Sequence, residues 1–459
     1  MHYLVLLTFV ISTIWLLRWD GRRRGGISNA LWIPCLWAAI AMSRPLTMWL
    51  GFGGGTDSLE GSPLDRLFHL SVIGFSLYIL ARRQINWGLI LSGNWPIFLY
   101  YGFFLISVLW ADPPLPSFKR WFKDLGIVFV ALVILTEQKP LEAIRAVFVR
   151  CAFVLLPLSV IFVRWFPEYG RTYSRSGGLN ITGVTTQKNS LGITAMICGL
   201  IFLWDWLEHR RTARQTLRKS KSEPYVLILA MGISIYLLHL SQSKTSLICF
   251  LVGAALIWAA YVEAWAAVVR RAGIFVLLAA GSFYLLETAF GVTGAILSML
   301  GRDATFTGRT EVWSELLALN TDPIFGTGFC NFWSNEFYQK QLPYWIASSA
   351  HNGYLETYLD GGWLGITVLS IMLMAVWARI NAHLQTGDRY AMVRFAVFLA
   401  TLVGSFAESH FGRLTPLWFL FLLTAIDPKI VARALPARPS PVPPPRRRMS
   451  PAYPLNAPR

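Results

Sequence analysis

Apolar runs of membrane-spanning length alternate with short polar or basic segments along almost the whole chain. A helix crossing the roughly 30 Å hydrocarbon core needs about 20 predominantly apolar residues. Runs near 1–17, 27–43, 64–81, 94–110, 124–136, 146–163, 190–207, 225–240, 247–265, 272–290, 353–377, 395–408 and 415–426 fit that pattern. They predict an all-α integral membrane protein with about 12–13 transmembrane helices. One stretch breaks the rhythm. Residues 301–365 are polar and aromatic, and long segments of this kind are uncommon unless they carry function. The predicted division is therefore transmembrane helices with short loops over 1–290, a large external loop over 291–352, C-terminal transmembrane helices over 353–426, and a disordered, basic, Pro-rich tail over 427–459.

Composition agrees with this pattern. The chain is 55% hydrophobic and only 14% charged, against about a quarter charged in soluble domains. The N-terminal run lacks a basic leader and a small-residue cleavage site, so it is expected to stay as the first span. The net charge of +17 invites a nucleic-acid reading, but its distribution argues against one. About two-thirds of the Lys and Arg fall on alternate loops that define a single side, as cytoplasmic loops do. The long loop then lies on the opposite side. No internal repeat is visible, and the spans carry almost no charge at mid-depth. Both features count against a transporter, such as a flippase or exporter of lipid-linked oligosaccharides. Four of the five Cys (Cys35, Cys151, Cys198, Cys249) sit in apolar runs, and Cys330 is alone in the long loop. No C-x-x-C pair supports a zinc or redox site. No carboxylate or His cluster implies a bound metal, and no cofactor motif is present.

The external cations are few and recur at one kind of place. Lys188-Asn189 opens the run at 190, Ser243-Lys244 opens the run at 247, and His351-Asn352 opens the run at 353. Each of these helices presents its N-terminus to the outer face, with free N–H groups and the positive dipole end. Asn and Ser are preferred caps there. A cation beside a helix N-terminus is unfavourable by a few tenths of a kcal/mol to about 1. Repetition of that arrangement suggests a bound anion that compensates it, such as phosphate or pyrophosphate. Arg171 and Arg175 share the loop with Lys188, and Arg309 stands in the long loop. The alternative for any single one is a cation snorkelling to the membrane interface, and for His351 a structural hydrogen bond. The loop aromatics fit either stacking on sugar rings or an interfacial belt.

GRTEVWSELLALNTDPIFGTGF at 308–329, followed by AHNGYLETYLDGGWLG at 350–365, resembles the O-antigen ligase and polymerase superfamily. The shared pattern is G-R, then P-x-x-G-x-G-x-x-x-F, then H-N-x-Y-L and a Gly pair. G-x-x-x-Q-K-N-x-L-G at 183–192 and S-x-S-K-T-S at 241–246 resemble the subgroup that polymerises exopolysaccharides of the succinoglycan type. The resemblance runs from about Ser43 to about Arg413. It implies a GT-C-like fold and a metal-independent, inverting glycosyltransferase in the bacterial inner membrane with its site facing the periplasm. The donor would be an undecaprenyl-pyrophosphate-linked oligosaccharide and the acceptor a glycan, with other polysaccharide assembly and export proteins as further partners. By the same resemblance Arg309 binds pyrophosphate and His351 activates the acceptor hydroxyl. Lys188 and Lys244 stand where relatives carry basic residues, and Arg171 and Arg175 are further donor candidates. Asn352, Asn189, Ser243 and Tyr354 are supporting candidates. Gln187 departs from the subgroup, which often has His there, and this argues against proton transfer at that position. Polymerase and ligase differ only in acceptor, and the contexts of Lys188 and Lys244 tilt toward polymerase.

Overall fold

The computed structural model describes residues 2–52, 61–173, 177–215, 225–290, 309–346 and 349–436. Each expected apolar run coincides with a helix. In chain order these are α1 (His2–Arg23), α2 (Trp32–Ala41), α3 (Pro63–Arg82), α4 (Trp95–Ser107), α5 (Pro114–Leu135), α6 (Pro140–Trp165), α7 (Lys188–Gln215), α8 (Tyr225–Leu240), α9 (Lys244–Ala259) and α10 (Ala272–Phe290). Within the long segment lies α11 (Arg309–Ala318). It is followed by α12 (Gly353–Gln385), α13 (Arg389–Ala407), α14 (Pro416–Ala425) and α15 (Pro428–Ala434). The protein is an all-α integral membrane protein. Among the described residues, 6 helices are long and apolar enough to cross a membrane alone, or 8 if each of two bent pairs counts as one span. The stretches Asn29–Ala41, Tyr225–Leu240 and Pro416–Ala425 are apolar but shorter, because a helix rises only about 1.5 Å per residue.

The core is helical and centred on α7. Its apolar window is 89% buried, against 6% for α1 at the perimeter. α7 packs on α6, α8 and α9; α9 packs on α13; α13 packs on α12 and α14. Gly192, early in α7, permits the close approach of α9, since a Cβ there would lie 2.6 Å from that of Ser243. Toward the other end of α7, Asp205 is buried against Arg24 and Arg145, and Asp20 against Arg24 and Arg150. Buried charges persist when paired in this way.

Several boundaries differ from the sequence reading. The helix expected from 124 begins at Pro114, with Pro at its first position, where proline's fixed φ suits helix initiation. Lys119, Arg120 and Lys123 therefore ride on α5 and not in a loop. Arg171–Tyr173 and Leu179–Ile181 form an antiparallel two-stranded ribbon, a small departure from the all-α reading. The expected disordered tail from 427 starts as a helix. Asp427 caps α15 by accepting from the Lys429 N–H at 2.8 Å, and Val431 and Ala434 are buried. Residues 437–459 of that tail lie outside the described residues, as do Arg175 and residues 291–308 of the long loop.

The long loop has its own core. Leu316, Phe332, Trp333, Ala350 and Leu359 cluster together, so Phe332 and Trp333 are packing residues of the loop. The P-x-x-G-x-G motif has a backbone task. α12 breaks at Gly362, with φ 58°. The break would orphan the carbonyls of Leu359 and Asp360 and the N–H groups of Trp363 and Leu364. The segment Pro323–Gly328 satisfies all four. Thr327 and Gly328 donate to the two carbonyls at 2.9 and 2.8 Å, and Trp363 and Leu364 donate to Pro323 and Ile324 at 2.8 and 3.2 Å. A Cβ on Gly362 would fall 2.3 Å from the Ile324 carbonyl. The loop is thereby stitched to α12 at its break.

Candidate active site

The N-termini of α7, α9, α11 and α12 gather at one end of the bundle, around the C-terminus of α13. Asn352 caps α12, its Oδ1 accepting from Tyr354 and Leu355 N–H at 3.0 and 3.2 Å. This cap turns the chain so that His351 adopts φ 49°, an uncommon conformation for a non-glycine residue and one that clusters at functional sites. Tyr354 is fixed by its hydroxyl, which donates to the Leu402 carbonyl at 3.2 Å.

Glu408 joins the expected residues. It follows the last residue of α13, where a negative charge opposes the helix dipole. Three partners offset this. Asn189 Nδ2 donates to Oε1 at 2.7 Å, Arg309 Nη2 donates to Oε1 at 3.0 Å, and His351 Nδ1 lies 3.0 Å from Oε2. Arg309 Nη1 also donates to the Ala407 carbonyl, capping the helix end. Burial raises the Glu408 carboxyl, but the hydrogen bond and charge of His351, then Arg309 and Asn189, outweigh it and hold it below the usual Glu value. With Nδ1 facing a carboxylate, Nε2 of His351 is the nitrogen left to act as a base.

Arg309, Asn189, Ser243 and Glu408 line one small cavity together. Asn189, Glu408, Ser409, His410 and Thr186 line a second, of about 230 Å³. Lys188 and Lys244 are the first residues of α7 and α9, so both stand at this end of the bundle. Arg171 is not brought in: its guanidinium donates to the Val163 carbonyl at 2.7 and 3.0 Å, near the end of α6. Among the described residues, no group of three or more His, Cys, Asp and Glu is arranged to hold a metal ion.

Sequence reasoning missed Glu408, although ESHFGRL, a link dense in polar residues between two apolar runs, carried the signal. It also missed Arg44, whose guanidinium donates to the carbonyls of Tyr169, Gly183, Val184 and Thr185, organising the loop that leads into α7. A third omission is Arg413, which bridges Glu356 and Asp360 at 2.9 Å each. Those two carboxylates sit at i and i+4 on the first turns of α12, a spacing that puts them on one face.

A helical membrane protein with a polar, cation-bearing cluster at one end is the class these features define. The family model described as O-antigen ligase matches residues 229–370, from α8 into α12, a span that includes Arg309 and His351. The chain is also similar to the exopolysaccharide production protein ExoQ of Rhizobium meliloti (strain 1021), with 26% identity over 331 residues, which is 68% of this chain and 71% of that protein.

Proposed function

We propose that the chain is a glycosyltransferase of the bacterial inner membrane that polymerises exopolysaccharide repeat units at the periplasmic face. Its donor is a glycan on undecaprenyl pyrophosphate. The observation that carries this reading is the bridging of Arg309, His351 and Asn189 by Glu408 at the converging helix N-termini. An acceptor hydroxyl gives its proton to His351 Nε2 as its oxygen attacks the anomeric carbon. The bond between that carbon and the pyrophosphate oxygen breaks, and undecaprenyl pyrophosphate leaves with the electron pair. Attack opposite the leaving group inverts the anomeric centre. Glu408 orients the imidazole and stabilises the imidazolium that forms.

The leaving group gains charge in the transition state. Arg309 spends two N–H groups on Glu408 and Ala407, which leaves others of its fork to grip phosphate. Lys188, Lys244 and the helix N-termini behind them add preorganised positive potential. This arrangement supplies the stabilisation that a divalent metal would otherwise provide. The similarity to ExoQ, named for exopolysaccharide production, favours polymerase over ligase.

The test is substitution in cells. Arg309→Ala and His351→Ala should each abolish polymer while the protein stays in the membrane at normal abundance. Wild-type polymer in both variants would sink the assignment.

A further inference from the structure

Glu356 is buried on the first turns of α12, and its carboxylate takes no part in the chemistry above. Both of its oxygens are fully engaged. Oε1 accepts from the Ala350 N–H at 2.8 Å, from Ser409 Oγ at 3.2 Å and from Ser349 Oγ at 3.4 Å. Oε2 accepts from Trp333 Nε1 and from Arg413 Nη2, both at 2.9 Å. An ionised carboxylate is an acceptor only, so surroundings made entirely of donors select it over an amide. Burying that charge is costly unless it is paired, and Arg413 supplies the pair.

The partners of Oε1 flank the proposed base and its carboxylate on both sides. Ser349 and Ala350 directly precede His351, and Ser349 Oγ also accepts from the His351 N–H at 3.1 Å. Ser409 directly follows Glu408. One oxygen atom is therefore a common anchor for the two chain segments whose side chains meet at 3.0 Å, His351 Nδ1 on Glu408 Oε2. The conformation of His351 requires such an anchor. Its φ of 49° is costly for a residue with a Cβ, and it persists only where the surroundings over-determine it. The Asn352 cap fixes the turn from the helix side, and Glu356 fixes it from the loop side. Oε2 ties the same carboxylate to the core of the long loop through Trp333 and to the link between α13 and α14 through Arg413.

We propose that Glu356 is a positioning residue: its carboxylate holds the Ser349–His351 turn and the Glu408–Ser409 segment in register, so that His351 Nδ1 meets Glu408 and Nε2 is aimed at the acceptor hydroxyl. It acts on the rate only through the His351–Glu408 pair. This proposal rests on the glycosyl-transfer reading.

A double-mutant cycle tests it, run on the purified full-length chain in nanodiscs with undecaprenyl-pyrophosphate-linked repeat unit. In Glu356→Gln the amide oxygen is drawn to the Arg413 cation, which leaves an NH2 group against the Ala350 N–H. The variant should lower kcat about tenfold or more, the effect of losing one hydrogen bond to a charged group. KM for the lipid-linked donor should stay within about twofold, because Arg309 and its partners remain in place. In a Glu408→Gln background the same change should lower kcat less than about threefold, since the pair through which it acts is already broken. Loss of folded protein would scale both backgrounds alike, so an equal fall in both overturns the proposal and leaves the glycosyl-transfer reading standing. Wild-type kcat in Glu356→Gln overturns it too, as does a loss carried by KM alone. Wild-type kcat in Glu408→Gln is a different failure: it removes the pair from the mechanism, and this proposal with it. Where Glu356→Gln gives no monodisperse protein, Ser409→Ala carries the same cycle. It takes one half-buried hydroxyl from Oε1, with a fall of about fivefold expected in wild type and less than twofold in Glu408→Gln.

Discussion

Replacing Glu408 by Gln keeps the shape of the side chain and removes its charge. In the native protein the carboxylate accepts from Asn189 and Arg309 and faces His351 Nδ1, all within 3.0 Å. Hydrogen bonds to charged groups are worth about 1.5–3 kcal/mol each, and neutral ones about half that. An amide also has one oxygen where the carboxylate has two, so it cannot serve Arg309 and His351 as acceptor at once. Only the part that strengthens as the imidazolium forms and pyrophosphate leaves affects the rate. That part is about 2–4 kcal/mol here, or roughly 30- to 1,000-fold in the rate of transfer. The assay is the initial rate of product-ladder formation by purified protein in nanodiscs with lipid-linked repeat unit. A Glu408→Gln rate within threefold of wild type would refute the dyad. The same residue sets an acid limit on stability. Its pKa is lowered from 4.5 in the folded state, so its contribution is fully present above about 4.5 and is lost as pH falls through the lowered value. Thermal melting followed by tryptophan fluorescence should show that acid-side loss in wild type and a smaller one in Glu408→Gln.

Two further outcomes are expected. Gly362→Ala should destabilise the junction of loop and α12 severely, because φ 58° and a 2.3 Å approach to the Ile324 carbonyl both exclude a side chain; little or no monodisperse protein should be recovered, and a normal yield would contradict the stitched-loop account. Deleting the gene should remove long secreted polysaccharide and leave lipopolysaccharide intact, as glycan analysis of the strain would show. Lipopolysaccharide core lacking O-antigen, with polymer still made, would mean ligase.

What the sequence made legible follows the strength of each physical signal. Long apolar runs must be helices in lipid, so every expected span falls on one. The long loop was marked by polarity, yet its internal order was not legible. Phe332 and Trp333 looked like surface aromatics because their partners, Leu316 and Leu359, lie distant in sequence. The N-termini carrying Lys188, Lys244 and His351 were readable from local cap chemistry. Glu408 was not, because it sits at a helix C-terminus, where a carboxylate is locally unfavourable and its reason to exist is three partners from other elements. The start of α5 was placed ten residues too late, at 124 and not at Pro114, because the prolines and polar residues ahead of 124 read as a loop. The partner of Arg171, the Val163 carbonyl, was equally illegible, because it belongs to the preceding helix.

The central claim is transfer between lipid-linked substrates at the Arg309–Glu408–His351 cluster without a metal. Purified protein given undecaprenyl-pyrophosphate-linked repeat unit in EDTA tests it most directly. The account expects lengthened glycan, with one undecaprenyl pyrophosphate released per new linkage, and neither product from His351→Ala. Transfer that stops in EDTA and returns with Mg²⁺, or that persists undiminished in His351→Ala, would contradict it.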